Sequence, residues 1–199
     1  MDKIVDYYFT PISPYVYLGH DRFVAMARRH GAMIAVKPVD LARVFAVSGG
    51  LPLKQRPQQR QAYRLFELQR WSAHFDMPFN LHPKFFPVAG DLAGKWIIAA
   101  LGDGVEAALK LTGAFARAVW AEERNVADAS TLAAVARDQG LDAAALGARA
   151  EGVDTAARYD ALTQEAIERN VFGVPWYVYR GEPFWGQDRL DFLDRQLAK

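Results

Sequence analysis

The feature that most constrains the fold is a long, alanine-rich stretch without strand patterns in the middle of the chain. Between positions 89 and 166, 24 residues are alanine, which has the highest intrinsic helix propensity of all residue types. One apolar helical face is marked by residues that recur at steps of three and four, namely Ala108, Leu111, Phe115 and Val119. From Arg60 to Arg169 the sequence therefore predicts stacked helices, and the strands must come from the two ends of the chain.

Both ends carry β-strand patterns. The segments Ile4–Phe9 and Ile34–Val39 are rich in β-branched and aromatic residues. Ser13, followed by proline, predicts a helix start between them, and a helical crossover is typical of parallel strands. Near the C-terminus, Val174–Tyr179 and Glu182–Trp185 predict a hairpin, and a closing helix follows it.

The order of these elements is the thioredoxin topology, interrupted by helices. We therefore predict an α/β chain with a thioredoxin-like fold interrupted by an all-helical insertion domain. Residues 1–44 and 170–199 form the discontinuous thioredoxin-like domain in this prediction, and residues 45–169 form the helical insertion. The glycines and prolines within residues 44–57 predict an irregular loop there.

Composition excludes several classes of function. The chain has no cysteine, which excludes disulfides, thiolate metal sites, cysteine nucleophiles and thiol–disulfide oxidoreductase chemistry. Its net charge of +1 provides no basic excess for nucleic acid, so no nucleic-acid partner is expected. The four histidines show no metal-ligand spacing, and no metal is expected. Without a signal-peptide pattern or an apolar run long enough to span a bilayer, we expect a cytoplasmic protein with no membrane partner.

Ser13 is the first candidate site residue, and two interpretations of it stay open. It can be a plain helix N-cap, which needs only a hydroxyl. It can also hold a ligand, because a helix N-terminus stabilises an anion or a thiolate. Thioredoxin-like proteins place a reactive cysteine at this position, so a thiolate used here must come from outside the chain. Glutathione is the obvious supplier.

Two C-terminal segments are further candidates. Pro175 can simply open a strand, or the Val174–Pro175 bond can be cis and face Ser13, so that the Val174 main chain pairs with an extended ligand. Asp188 can be an ordinary acidic residue of a first helical turn, or it can pair with a ligand ammonium. In the second interpretation Gln187 adds amide contacts and Gly186 lets the backbone approach the ligand closely.

The candidate residues Ser13, Val174 and Asp188 lie within longer sequence motifs. The motifs are SPYVYL at 13–18, DLARV at 40–44, LQRW at 68–71, AVWAE at 118–122, YDALTQEAIERNVFGVP at 159–175 and WGQDRL at 185–190. Together they closely resemble the 2-hydroxychromene-2-carboxylate isomerases, which are grouped with kappa-class glutathione transferases in a thioredoxin-fold family with a helical insertion. The resemblance covers residues 4 to 197, and the last two motifs are its most specific part.

The resemblance implies an assignment for each matched residue. Ser13 matches the serine that holds the glutathione sulfur, and Val174 beside Pro175 matches the residue whose backbone binds the cysteinyl part. The segment that grips the γ-glutamyl end corresponds to Trp185, Gly186, Gln187 and Asp188. Where relatives carry lysine and asparagine in a KxTGN-like stretch, this chain has Ala46 and Gly50, and Lys54, Gln55 or Arg56 are candidate replacements.

The chemistry implied by the resemblance is a glutathione-dependent isomerisation in aromatic-hydrocarbon catabolism. Glutathione thiolate adds to the conjugated carbon of 2-hydroxychromene-2-carboxylate, the ring opens, a C–C bond rotates, and expulsion of the thiolate leaves trans-o-hydroxybenzylidenepyruvate. The substrate is a small aromatic carboxylate and needs a cation. The candidate cations are Arg43, Lys54, Arg56 and Lys84. A homodimer is also expected.

Two other functions stay open. A kappa-like transferase that conjugates glutathione to electrophiles would share Ser13, Val174 and Asp188 and differ only in the substrate pocket. A non-catalytic thioredoxin-fold binding protein or chaperone is compatible with the absence of cysteine, although the retained serine and the WGQD segment argue against it.

Overall fold

A computed structural model of the chain describes residues 2–199. Its strands are β1 (Ile4–Phe9), β2 (Met33–Pro38), β3 (Trp176–Tyr179) and β4 (Glu182–Trp185). Its α-helices are α1 (Pro14–Arg29), α2 (Leu41–Ser48), α3 (Gln58–His74), α4 (Asp91–Ala100), α5 (Val105–Trp120), α6 (Ala129–Asp138), α7 (Ala143–Ala150), α8 (Val153–Glu168) and α9 (Leu190–Leu197). Short 3-10 turns lie at Leu53–Gln55, Leu101–Asp103 and Gln187–Arg189.

The described strands form one mixed sheet in the order β2-β1-β3-β4. β1 pairs in parallel with β2 and antiparallel with β3, while β3 and β4 form the predicted hairpin. Alternate side chains of β1 face opposite sides. Tyr7 stacks on Tyr177 at 5.2 Å on the side covered by α1, and Tyr8 faces α8 on the other. The predicted order of strands and helices, and the α/β class, are confirmed.

The helices α3 to α8 lie between β2 and β3 in the chain, as predicted, and α2 precedes them there. They do not form a separate core, because α4 packs on β2, α5 packs on α1, and one apolar cluster runs through both parts. None of the helices in residues 2–199 is both long enough and apolar enough to cross a bilayer.

The irregular loop predicted for residues 44–57 is wrong over its first part, because α2 extends through it. The Asp40 carboxylate accepts hydrogen bonds from the amides of Ala42 and Arg43 at 2.9 and 3.3 Å, which caps the helix. Gly49, with a φ of 76°, ends it in a left-handed conformation. The capping aspartate was the missed signal, and α2 continues across residue 44, where the domain boundary was predicted.

A partly buried ion-pair network attaches α8 to the sheet. The Lys37 ammonium lies 2.8 Å from Asp6 and 2.6 Å from Glu165, and the Tyr8 hydroxyl donates to Glu165 at 2.6 Å. Burial opposes ionisation of Glu165, but the hydrogen bonds from Lys37 and Tyr8 outweigh it and hold the pKa of this carboxyl below its usual value. The network thus fixes the helix that leads into Val174.

Candidate active site

Ser13 caps α1 and also faces a cleft. Its amide donates to the Thr10 carbonyl at 3.1 Å, which sets the turn between β1 and α1. Its Oγ accepts from the Val16 amide at 3.4 Å, which is long for a hydrogen bond of this type. The side chain lines the cleft, and its hydroxyl proton remains available for a ligand. The two interpretations of Ser13 are therefore compatible.

Val174 lies across the cleft from α1. The Val174–Pro175 bond is cis, as predicted, and Val174 lines the cleft together with Ser13. The carbonyl of Pro175 accepts from the Gly186 amide at 2.9 Å, which attaches this segment to the one after β4. Within residues 2–199, no hydrogen bond uses the main-chain N–H or C=O of Val174, so both groups can pair with an extended ligand.

The segment from Trp185 to Asp188 forms another wall. Gly186 has a φ of 95°, and a Cβ there would collide with the Asp188 carboxylate, so only glycine fits. Asp188 lies 2.5 Å from the Arg189 guanidinium. It makes no capping hydrogen bond to the 3-10 turn or to α9, but it lies in the first turn of that 3-10 helix, so the first-turn interpretation stays open beside the ligand role.

The Gln187 side chain packs into the protein, while the residue itself forms part of the cleft wall. The residue is 1% exposed, and its side-chain oxygen accepts from the Arg22 guanidinium at 2.9 Å. Its Cβ packs directly on Gly19 of α1. Gln187 therefore positions its neighbours, and the amide contacts expected of it are made inside the protein.

The cleft has two connected lobes. One, called the polar lobe here, has a volume of about 740 Å³ and is lined by residues 182–189 and by α3. The other, called the aromatic lobe, has a volume of about 520 Å³ and is lined by Ser13, by α2 and by the rings of Phe45, Phe86 and Phe172. Residues that line both lobes are Tyr15, Arg56, Arg60, Arg64, Val174 and Trp185. The site thus lies between the thioredoxin-like part and α3.

Of the four predicted cations, the structure brings one to the cleft. Arg56 lines both lobes. Arg43 pairs with Asp160 of α8 on the outside of α2, Lys54 is exposed on a 3-10 turn, and the exposed Lys84 ammonium lies 5.3 Å from the Phe85 ring. These three side chains do not line either lobe.

Sequence reasoning missed Arg60, Arg64 and Tyr15. Arg60 and Arg64 follow Arg56 at steps of four, which places all three on one side of α3 and its approach. In the described chain no carboxylate lies within salt-bridge distance of any of them. Burial lowers the pKa of Arg56 and Arg64 and raises that of the Tyr15 hydroxyl. The four-residue spacing of the arginines was the available signal.

The structure shows where Ala46 and Gly50 lie, the two positions at which the relatives carry lysine and asparagine. Ala46 is exposed on α2 away from the lobes. Gly50 lines the aromatic lobe, and a Cβ there would collide with the Phe45 ring. Phe45 thus occupies the space that an asparagine side chain at position 50 would need. The described residues hold no cluster of three or more His, Asp or Glu suited to a metal ion.

Comparisons with known families, sequences and structures agree with one another on the proteins that this chain is similar to. The family model described as "DSBA-like thioredoxin domain" matches residues 4–198. A 2-hydroxychromene-2-carboxylate isomerase of Sphingobium xenophagum is 30% identical over 199 residues, covering 99% of each chain. A solved structure of a 2-hydroxychromene-2-carboxylate isomerase superposes with a TM-score of 0.82 at 30% identity, covering 98% of this chain and 94% of that one. A kappa 2 glutathione S-transferase of Caenorhabditis elegans is 27% identical, covering 96% of this chain and 92% of that one.

Proposed function

Since this chain belongs to the family of DSBA-like thioredoxin domains, and within it to the 2-hydroxychromene-2-carboxylate isomerases, we propose that it is a glutathione-dependent enzyme. Its proposed reaction interconverts 2-hydroxychromene-2-carboxylate and trans-o-hydroxybenzylidenepyruvate. One observation carries the proposal: Ser13, the unpaired main chain of Val174 and the Asp188 carboxylate line one cleft in a chain without cysteine.

The residues of the cleft fit glutathione along its length. Ser13 at the start of α1 suits a thiolate, because the hydroxyl proton and the helix N-terminus both favour negative charge. The Val174 N–H and C=O suit the cysteinyl unit, since they form no bond within the described chain. Asp188 suits the γ-glutamyl ammonium, and the glycine at position 186 keeps the approach to it open. Both lobes contain Val174, so one extended tripeptide can run between them.

The position of the aromatic lobe beside Ser13 supports the proposed chemistry. When bound, glutathione supplies a thiolate that adds to a conjugated carbon of the substrate, allows bond rotation and is then expelled, so it is regenerated. Ser13 donates a hydrogen bond to the sulfur and keeps the pKa of the thiol low. The rings of Phe45, Phe86 and Phe172 hold the aromatic substrate beside Ser13 and exclude water from the reacting atoms.

A kappa-like transferase is the second candidate. Two observations favour it: the similarity to a kappa-class enzyme, and the absence of lysine and asparagine at positions 46 and 50. It would use the same glutathione contacts and differ only in the substrate held by the aromatic lobe.

A spectrophotometric assay separates the two functions. 2-Hydroxychromene-2-carboxylate is incubated with the protein alone, with glutathione, and with S-methylglutathione, which has no free thiol. We expect isomerisation with glutathione only. Turnover without glutathione, or with the methylated form, would contradict the proposed mechanism. Conjugation of a model electrophile without isomerisation would identify a transferase instead.

A further inference from the structure

Arg64 of α3 is held in place by aromatic rings. Its guanidinium carbon lies 5.5 Å from the centre of the Phe86 ring and 5.7 Å from that of Trp120, both within reach of cation–π attraction. Trp120 is fully buried, and its indole N–H donates to the Ile12 carbonyl at 3.1 Å. Because Ile12 adjoins Ser13, these contacts fix the position of Arg64 relative to the start of α1.

The protein gives Arg64 no anion. Within residues 2–199, its guanidinium forms no salt bridge and donates no hydrogen bond to a protein atom. The residue is nevertheless partly buried, and this burial lowers the pKa of its guanidinium. A partly buried charge without a partner is unfavourable, so the geometry indicates that an anion from outside the chain completes the site.

We propose that Arg64 binds the carboxylate of the aromatic substrate, with the Tyr15 hydroxyl as a second donor. This inference rests on the proposed function, and it names a substrate-binding residue that the sequence analysis did not identify. Arg64 and Tyr15 line the aromatic lobe together with Ser13. A planar conjugated carboxylate can therefore lie between Phe45 and Phe172, with its charged end on Arg64. A guanidinium suits this role because it binds a carboxylate through two parallel hydrogen bonds.

The other two arginines that line the aromatic lobe are less suited to this role. Arg56 already donates from Nε to the Leu51 carbonyl at 2.8 Å. Arg60 is exposed, so its charge is screened by water and salt. Arg64 alone of the three combines burial, aromatic support and a complete set of unpaired donors.

The test compares a charged probe with a neutral one. trans-Cinnamate and trans-cinnamamide are titrated calorimetrically into the glutathione-saturated protein, its Arg64→Met variant and a control, Arg137→Met, whose exposed arginine lies at the end of α6. We expect wild type and control to bind cinnamate about 10- to 100-fold more tightly than the amide. Arg64→Met should bind both probes equally, and Arg64→Lys should keep part of the preference because it keeps the charge. A preference that survives in Arg64→Met, or that wild type lacks, would overturn the proposal.

Two further measurements separate this proposal from the proposed function. Glutathione affinity should be the same in wild type and Arg64→Met, and a loss of glutathione binding in the variant would assign Arg64 to glutathione and overturn the inference. In the isomerisation assay, the variant should show a KM for 2-hydroxychromene-2-carboxylate that is about 10- to 100-fold higher. An unchanged KM would contradict the role of Arg64. If wild type prefers cinnamate through Arg64 but isomerises nothing, the proposed function fails and the anion site stands.

Discussion

At Ser13, one hydroxyl combines a helix cap with the proposed contact to the glutathione sulfur. Oxygen lone pairs accept the amide of Val16, while the proton stays free to donate. The long 3.4 Å contact indicates a weak cap, so the residue contributes little to helix stability. Asp188 also lies at a helix start, but its carboxylate accepts no capping hydrogen bond there.

The Ser13→Ala variant separates these roles. We expect the rate of isomerisation to fall about 10- to 1000-fold, the range for losing one donor to a developing or full negative charge. Glutathione affinity should change little, since most contacts to the tripeptide remain, while the pKa of the bound thiol should rise. Ultraviolet thiolate absorbance measures that pKa, and an unchanged value would rule out contact between Ser13 and the sulfur. Asp142→Ala, which removes the cap of α7, is the control for loss of a cap alone.

The Asp188→Asn variant tests the proposed ammonium contact. Asparagine keeps the size of the side chain but removes the charge, so glutathione affinity should fall by about 1–3 kcal/mol. Thermal stability should stay nearly constant because Asp188 caps no helix. Calorimetric titration measures the affinity, with Asp191→Asn in the first turn of α9 as the matched control. Equal dissociation constants for wild type and Asp188→Asn would exclude the contact.

At the scale of elements, α1 carries one half of the proposed glutathione site and positions the other half. Its first turn presents Ser13 to the cleft, while Gly19, about two turns further on, packs against Gln187. Arg22 adds the hydrogen bond that holds the Gln187 side chain. The spacing between Ser13 and the segment 185–188, which are the proposed contacts for the two ends of glutathione, is therefore set by close packing on one face of α1.

The Gly19→Ala variant should disturb that spacing. A Cβ at position 19 would lie 2.7 Å from the Cβ of Gln187, too close for either to stay in place. We expect a loss of about 1–3 kcal/mol in the free energy of unfolding and weaker glutathione binding, although residue 19 does not line the cleft. Denaturant unfolding and calorimetry measure the two effects. Gly102→Ala, where a Cβ meets only Arg149 at 3.6 Å, should change neither, and unaltered glutathione binding in Gly19→Ala would contradict the positioning role.

At the scale of the whole molecule, local patterns predicted the elements better than the site. β1 and β4 match their predicted bounds because strand composition and turn residues define them locally. The cations were harder to identify, because the side of an element that faces the cleft depends on packing between distant segments. Arg43 forms a salt bridge with Asp160, which is far away in sequence. Arg64 instead contacts the rings of Phe86 and Trp120. The residues that neighbour each arginine in sequence therefore do not predict which way its side chain points.

Glutathione should stabilise the whole chain, since its proposed site joins the thioredoxin-like part to α3. A ligand that binds only the folded state at about 100 times its dissociation constant adds roughly 2.7 kcal/mol. For a chain of this size, that corresponds to a rise in Tm of about 5–10 °C. Calorimetric scans with and without glutathione measure the shift, and an equal mixture of free glutamate, cysteine and glycine is the control. Asp188→Asn should show a smaller shift at the same concentration, because its affinity is lower. If glutathione raises Tm no more than the mixture does, the tripeptide does not bridge the cleft.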